Sequence, residues 1–159
     1  MLKHAARGLT ETVVSPIDEK MVQPNAIDLR VSRVFEHYMG EFVLDGDTKE
    51  HLEQEEVHPD PDGYFHLTSG VYVIQFAQVV SMGEREAGIV VSRSSLMRNG
   101  IWMTSALYDS GYHGKMVAGL SVPSGVTFTF PKGERLAQFL VMDSDAFGRY
   151  EGSYQGAEP

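Results

Sequence analysis

The string Arg93-Ser94-Ser95-Leu96-Met97-Arg98 follows the apolar run AGIVV and sets two hydroxyls between two guanidinium groups. At the start of a helical turn, backbone N–H groups and serine hydroxyls form a small cradle for an anion. Arg93 and Arg98 add charge-assisted hydrogen bonds from either side. Taken alone, the string is also a capped turn with surface arginines, with Ser94 or Ser95 as cap and Gly100 near its end. Farther along, Asp109 precedes a tight turn, Tyr112 lies between Gly111 and Gly114, and PKGERLAQFLV carries Arg135 and Gln138. Singly, these read as a turn aspartate, a strand-end aromatic and an outward-pointing strand amide. Asp28 in AIDLR reads as a strand-entry aspartate that satisfies backbone donors. The chain closes on YEGSYQGAEP, a stretch of Gly, Tyr and Gln with little to bury by itself.

The elements that must position these side chains are short and β-rich. Residues 26–35, 70–80, 87–92, 100–107, 115–122, 126–130 and 135–142 are expected as strands. In VTFTF the alternation puts Val126, Phe128 and Phe130 on one face and Thr127 and Thr129 on the other. LDGDTKE, HPDPDGYF, YDSGYHG, VPSGV and FPKGE are turn compositions. Helix is expected only over residues 2–8 and in the turn after Arg93. Many short strands at this spacing predict an all-β sandwich, jelly roll or barrel.

Composition narrows the function classes. A chain of 159 residues, 42% hydrophobic and 22% charged, suits one soluble domain with its own core. No apolar run approaches the length of a membrane span, and the first residues lack the apolar stretch of a secretory signal. With no cysteine there is neither a disulfide framework nor a thiolate metal site, and a cytoplasmic location is expected. The net charge of -9 argues against a general nucleic-acid binder, although a few arginines in one cleft can still hold a triphosphate. The polar residues 49–63 lack the ligand spacing of a calcium loop and read as solvated surface. His4, His37, His51, His58, His66 and His113 show no metal-binding spacing.

Taken together, QPNAIDLRV, RSSLMR, YDSGYHG, PKGERLAQFLV and the Gly/Tyr tail resemble the dUTPase/dCTP deaminase superfamily, over residues 23–156. The resemblance implies a homotrimer of distorted β jelly rolls, with active sites between subunits. It also implies a single β domain over residues 1–148 and a C-terminal arm, 149–159, that closes over bound nucleotide. QPNAIDLR, RSSLMR and YEGSYQG are similar to the deaminase branch. That branch uses a glutamate ten positions after the turn aspartate; here that position is Gly119, which cannot carry a proton. Ser153 also stands where deaminases have a lysine.

The residues implied for diphosphate hydrolysis are all present. The resemblance makes Asp109 the holder of the attacking water and Tyr112, with Gly111, the wall against deoxyribose. Ser94 or Ser95 is then the donor at the scissile bridge, and Arg93, Arg98 and Gln138 grip phosphates. Tyr150, Tyr154 and Gln155 belong to the closing arm. Mg²⁺ is expected through the triphosphate and water, with no protein-ligated metal. The function implied is a dUTP diphosphatase acting on dUTP, with no nucleic-acid or membrane partner. The alternatives are a dCTP deaminase, a bifunctional deaminase/diphosphatase, a diphosphatase for another pyrimidine deoxynucleotide, and a catalytically silent regulatory trimer.

Overall fold

The structure, a computed structural model, describes residues 1–46 and 48–156. Position 47, in the LDGDTKE turn, and positions 157–159 of the arm lie outside the described residues. The chain runs β1 (Leu2–Lys3), β2 (Val13–Ser15), β3 (Ile27–His37), β4 (Val43–Asp45), β5 (Thr48–Glu50), β6 (Gln54–Val57), β7 (Tyr64–Leu67), β8 (Gly70–Ser81) and β9 (Glu86–Ser92). It continues through α1 (Ser94–Arg98), β10 (Trp102–Thr104), β11 (His113–Val122), β12 (Phe128–Pro131) and β13 (Arg135–Asp143). The expected all-β class holds, with α1 a single five-residue helix.

One curled sheet in the order β1-β13-β3-β8-β11-β10 makes the body, with β2 on β8, β6 on β3 and β9 on β13. Alternation drives it. Tyr72, Ile74, Phe76 and Val80 of β8 point inward, and so do Met116, Ala118, Leu120 and Val122 of β11. Cross-strand partners such as Leu120 and Tyr72, or Ala118 and Ile74, therefore meet in the same core. Phe65, Phe130, Leu136 and Phe139 belong to the same core cluster.

Three expectations need correction. Residues 2–8 are not helical: Leu2 and Lys3 pair with Met142 and Val141 at the edge of β13. So short a helix has no stability of its own, and the Lys3 ammonium is held between Glu86 and Asp143, 2.8 Å from each. The strand expected over 100–107 stops at Thr104, the last residue paired with β11; beyond it the Ser105 hydroxyl turns to β9 and accepts the Val90 N–H at 3.0 Å. Within the polar stretch 49–63, Gln54–Val57 is an edge strand on β3, its Glu56 paired to Arg33 at 2.6 Å; with Val57 as its one apolar residue it shows no alternation of its own.

Glu86 ties the N-terminal segment to the body. Its buried carboxylate accepts from Lys3 Nζ (2.8 Å), the Thr10 hydroxyl (2.5 Å), and the hydroxyl and N–H of Thr12 (2.6 and 2.8 Å). Burial alone would raise its pKa, but these donors outweigh burial and bring it down from 4.5 to about 2. The folded value lies below the unfolded one, so the stabilisation is present above 4.5 and lost as pH falls toward 2. The urea midpoint should therefore drop across that window, and Glu86→Gln should flatten the drop. An equally steep drop in Glu86→Gln would assign it to other carboxylates.

Candidate active site

Tyr108 fixes where Asp109 begins. Its N–H and C=O exchange hydrogen bonds with Gly88 of β9 at 2.8 and 2.9 Å. Its hydroxyl donates to the Val117 carbonyl (2.8 Å) and accepts from the Val117 N–H (2.9 Å) of β11. Burial holds this phenol well above its ordinary pKa, so it keeps its proton. The chain then turns at once, with the Tyr112 N–H returning to the Asp109 carbonyl at 3.1 Å. Gly111 sits at φ +75, the left-handed value a type II turn requires at its third position. Ser110 points inward and donates to the Glu86 carbonyl at 2.9 Å. Asp109 is thereby left exposed, and among the described residues no side-chain hydrogen bond or ion pair engages its carboxylate.

Tyr112 is half-buried, edge-on to Tyr108 and to Tyr150, with ring centroids 5.5 Å apart in both pairs. Its ring lies across Gly114, where a Cβ would come within 2.6 Å of the phenolic oxygen. That close approach explains the glycine. Burial, and then the neighbouring Tyr150, raise its pKa and keep the hydroxyl protonated; it donates to the Lys115 carbonyl at 3.2 Å. Asp109, Tyr112, Val117, Leu107, Tyr150 and Tyr154 line a cleft of about 570 Å³, within the range of small-molecule sites. Asp109 also borders a second hollow of about 480 Å³ against residues 144–151.

Gly119 lies on β11 two residues beyond Val117, so the strand's alternation puts it on the face that lines the cleft. A Cβ there would find Thr104 Cγ2 at 3.6 Å, an ordinary contact. Close approach of another strand therefore does not demand glycine at this position.

The C-terminal arm lies against the same turn. The Tyr150 N–H donates to the Ser110 carbonyl at 2.8 Å. The Gln155 side chain donates to the Gly111 carbonyl and accepts from the His113 N–H, both at 3.1 Å. Gly156 closes the set with an N–H bond to the His113 carbonyl at 2.8 Å. Tyr150, Tyr154 and Gln155 thus meet Asp109, Gly111 and Tyr112 in one chain.

Two of the other expected site residues, Arg93 and Gln138, gather elsewhere, around Asp28. This carboxylate is fully buried on β3 and accepts from Gln23 (3.1 Å), Gln138 (3.0 Å) and Arg135 (3.2 Å). Arg93 lies 3.8 Å from it, and the same guanidinium donates to the Arg135 carbonyl at 2.6 Å. The expectation that Asp28 satisfies backbone donors is corrected: its partners are side chains. Arg135 also donates to the Lys20 carbonyl. Arg93 occupies the N-cap of α1 without a side-chain cap, so Ser94 and Ser95 are first-turn residues rather than caps. Both serines and Arg98 are exposed. A hollow of about 200 Å³ is lined by Arg93, Ser95, Arg135 and Glu134. This hollow and the Asp109 cleft share no lining residue. The structural roles of Tyr108 and Ser110 escaped sequence reading, because nothing in YDSGYHG reveals that a serine is the buried anchor and the aspartate the exposed group.

A dCTP deaminase-like family model matches residues 2–144. A curated deoxyuridine 5'-triphosphate nucleotidohydrolase of Methanocaldococcus jannaschii is 34% identical over 144 residues, covering 88% of this chain and 90% of that one. A probable deoxyuridine 5'-triphosphate nucleotidohydrolase of Halobacterium salinarum is 32% identical over 146 residues, covering 89% and 87%. The crystal structure of the 2'-deoxycytidine 5'-triphosphate deaminase from Agrobacterium tumefaciens superposes with a TM-score of 0.61 at 20% identity. That match covers 83% of this chain but only 42% of the deaminase chain, and it shows the shared jelly-roll fold. From a family match over nearly its whole described length, and relatives this similar on both sides of the alignment, the chain belongs to the dCTP deaminase-like family, within the superfamily its motifs resemble.

Proposed function

We propose that the protein is a dUTP diphosphatase, splitting dUTP into dUMP and pyrophosphate. The observation that carries this reading is the Asp109 carboxylate, exposed and unengaged at a nucleotide-sized cleft, facing a strand whose Gly119 has no proton to give. The names of the curated relatives favour the same activity. Asp109 holds a water against the innermost phosphorus and takes its proton as the new P–O bond forms. The bond from that phosphorus to the bridging oxygen breaks, and its electron pair leaves with pyrophosphate. Ser94 or Ser95 donates to the bridging region, while Arg93, Arg98 and Gln138 hold phosphate oxygens.

Within one chain these phosphate-binding residues stand apart from the Asp109 cleft. This supports a homotrimer in which one subunit's α1 completes its neighbour's cleft. Among the described residues no group of three acidic or histidine side chains offers a metal cage. The Mg²⁺ of this reading would be carried on the triphosphate and water, and it would supply neutralisation of charge on the leaving phosphates. The domain boundary proposed is residue 148, with the arm beyond it acting as a lid. A cytoplasmic location remains part of this reading; among the described residues no helix is long and apolar enough to cross a membrane.

The test is turnover of dUTP, dCTP, dTTP and UTP with Mg²⁺, with pyrophosphate and ammonia measured separately. Pyrophosphate from dUTP alone is the expected result. Ammonia from dCTP would overturn the Gly119 argument, and saturable binding without turnover would make the protein a silent nucleotide binder. Tyr112 is the proposed wall against a 2'-hydroxyl. Tyr112→Ala should therefore reduce the kcat/KM preference for dUTP over UTP by about ten-fold or more, the scale of losing a small steric contact. An unchanged preference would place ribose selection elsewhere.

A further inference from the structure

The β4–β5 ribbon pairs with no other strand among the described residues, and a lone two-stranded ribbon is marginal in water. What it touches is the arm. The Lys49 ammonium sits 5.1 Å from the centre of the Tyr154 ring, within cation–π range, and 3.5 Å from the Ser153 hydroxyl. The Tyr154 hydroxyl lies 3.4 Å from His51 Nε2, and the His51 ring stacks on Phe42 with centroids 5.7 Å apart. Lys49 has no carboxylate partner among the described residues, unlike Lys3, Arg30 and Arg33. The arm is therefore gripped from two sides. The Asp109 turn holds Gln155 and the ribbon holds Tyr154, and Tyr154 is itself a wall of the cleft.

We propose that the β4–β5 ribbon is a clamp for the arm, with Lys49 and His51 as positioning residues that act through Tyr154 and set how long the cleft stays covered. Its consequence for turnover rests on the reading of the Asp109 cleft as the nucleotide site, but the clamp itself does not. The decisive measurement uses the full chain without nucleotide: amide hydrogen exchange of residues 149–156, followed by mass spectrometry. Lys49→Gln keeps the length and removes the charge, and exchange should rise about two- to five-fold, the range of an exposed cation–π contact. Lys49→Arg should restore protection. In a Tyr154→Leu background the Lys49→Gln effect should vanish, since the two groups act as one contact. Lys49, Ser153 and Tyr154 are all exposed, so the melting temperature serves as a control expected not to move. Unchanged arm exchange in Lys49→Gln, or an equal effect with and without the Tyr154 ring, would overturn the clamp. If exchange behaves as stated while dUTP is not turned over, the clamp stands and only the nucleotide reading falls. With dUTP as substrate, Lys49→Gln should raise KM by the same factor and leave kcat nearly unchanged.

Discussion

Asp109→Asn should lower kcat for dUTP by about 10²- to 10⁴-fold, the usual contribution of a positioned general base, while KM stays close to its starting value. The substitution keeps the shape of the side chain and its capacity to bond water, and removes the negative charge and with it the ability to take a proton. The prediction is sharp because the carboxylate has no structural duty. The turn is held by the Tyr112 N–H on the Asp109 carbonyl, by Ser110 on Glu86 and by the Tyr108 bridge to Gly88, none of which uses the Asp109 side chain. Stability should therefore stay within about 0.5 kcal/mol, as for surface changes that break no named interaction. Measured together, single-turnover rates and urea midpoints separate the possibilities. A large loss of rate at constant stability supports the base. A full rate removes it, and a joint loss of rate and stability would mean that the carboxylate braces the turn.

Much of this arrangement was legible before any coordinates. GVYVIQFAQVV and KMVAGLSV read as strands from their β-rich composition, and they are β8 and β11, whose inward residues form the core. The pairing of Tyr112 with two glycines was also visible, one needed for the turn and one for the ring lying across it. What escaped was whatever depends on partners distant in sequence. The edge strand Gln54–Val57 is polar and follows from its neighbour β3 rather than from its own residues. The five-residue α1 lacks the cap expected of it, because Arg93 turns inward toward a carboxylate 65 positions earlier. Asp28 shows the limit most clearly. AIDLR announces a strand entry, yet only the fold brings Gln23, Gln138, Arg93 and Arg135 to a single buried charge.

That convergence makes Asp28→Ala the substitution with the largest expected structural effect. Removing one member of a buried ion pair typically costs about 3–5 kcal/mol, because the partner charge stays behind unpaired. Here the guanidinium side chains of Arg93 and Arg135 retain 29% and 26% exposure and can recover some hydration. The lower end of that range, about 3 kcal/mol, is therefore expected, corresponding to a fall of about 6–12 °C in Tm for a domain of this size. Asp28→Asn should lie between, since one amide oxygen still accepts from Gln138 while the charge facing Arg135 is gone. Function should follow geometry. With Asp28 absent, Arg93 and Gln138 lose the group that orients them, so KM for dUTP should rise more than kcat falls, even well below the new Tm. A Tm unchanged in Asp28→Ala would mean that solvent replaces the carboxylate without loss. A lower Tm with intact KM would show that the hub serves the fold and that phosphate recognition lies with the exposed Ser94, Ser95 and Arg98 instead.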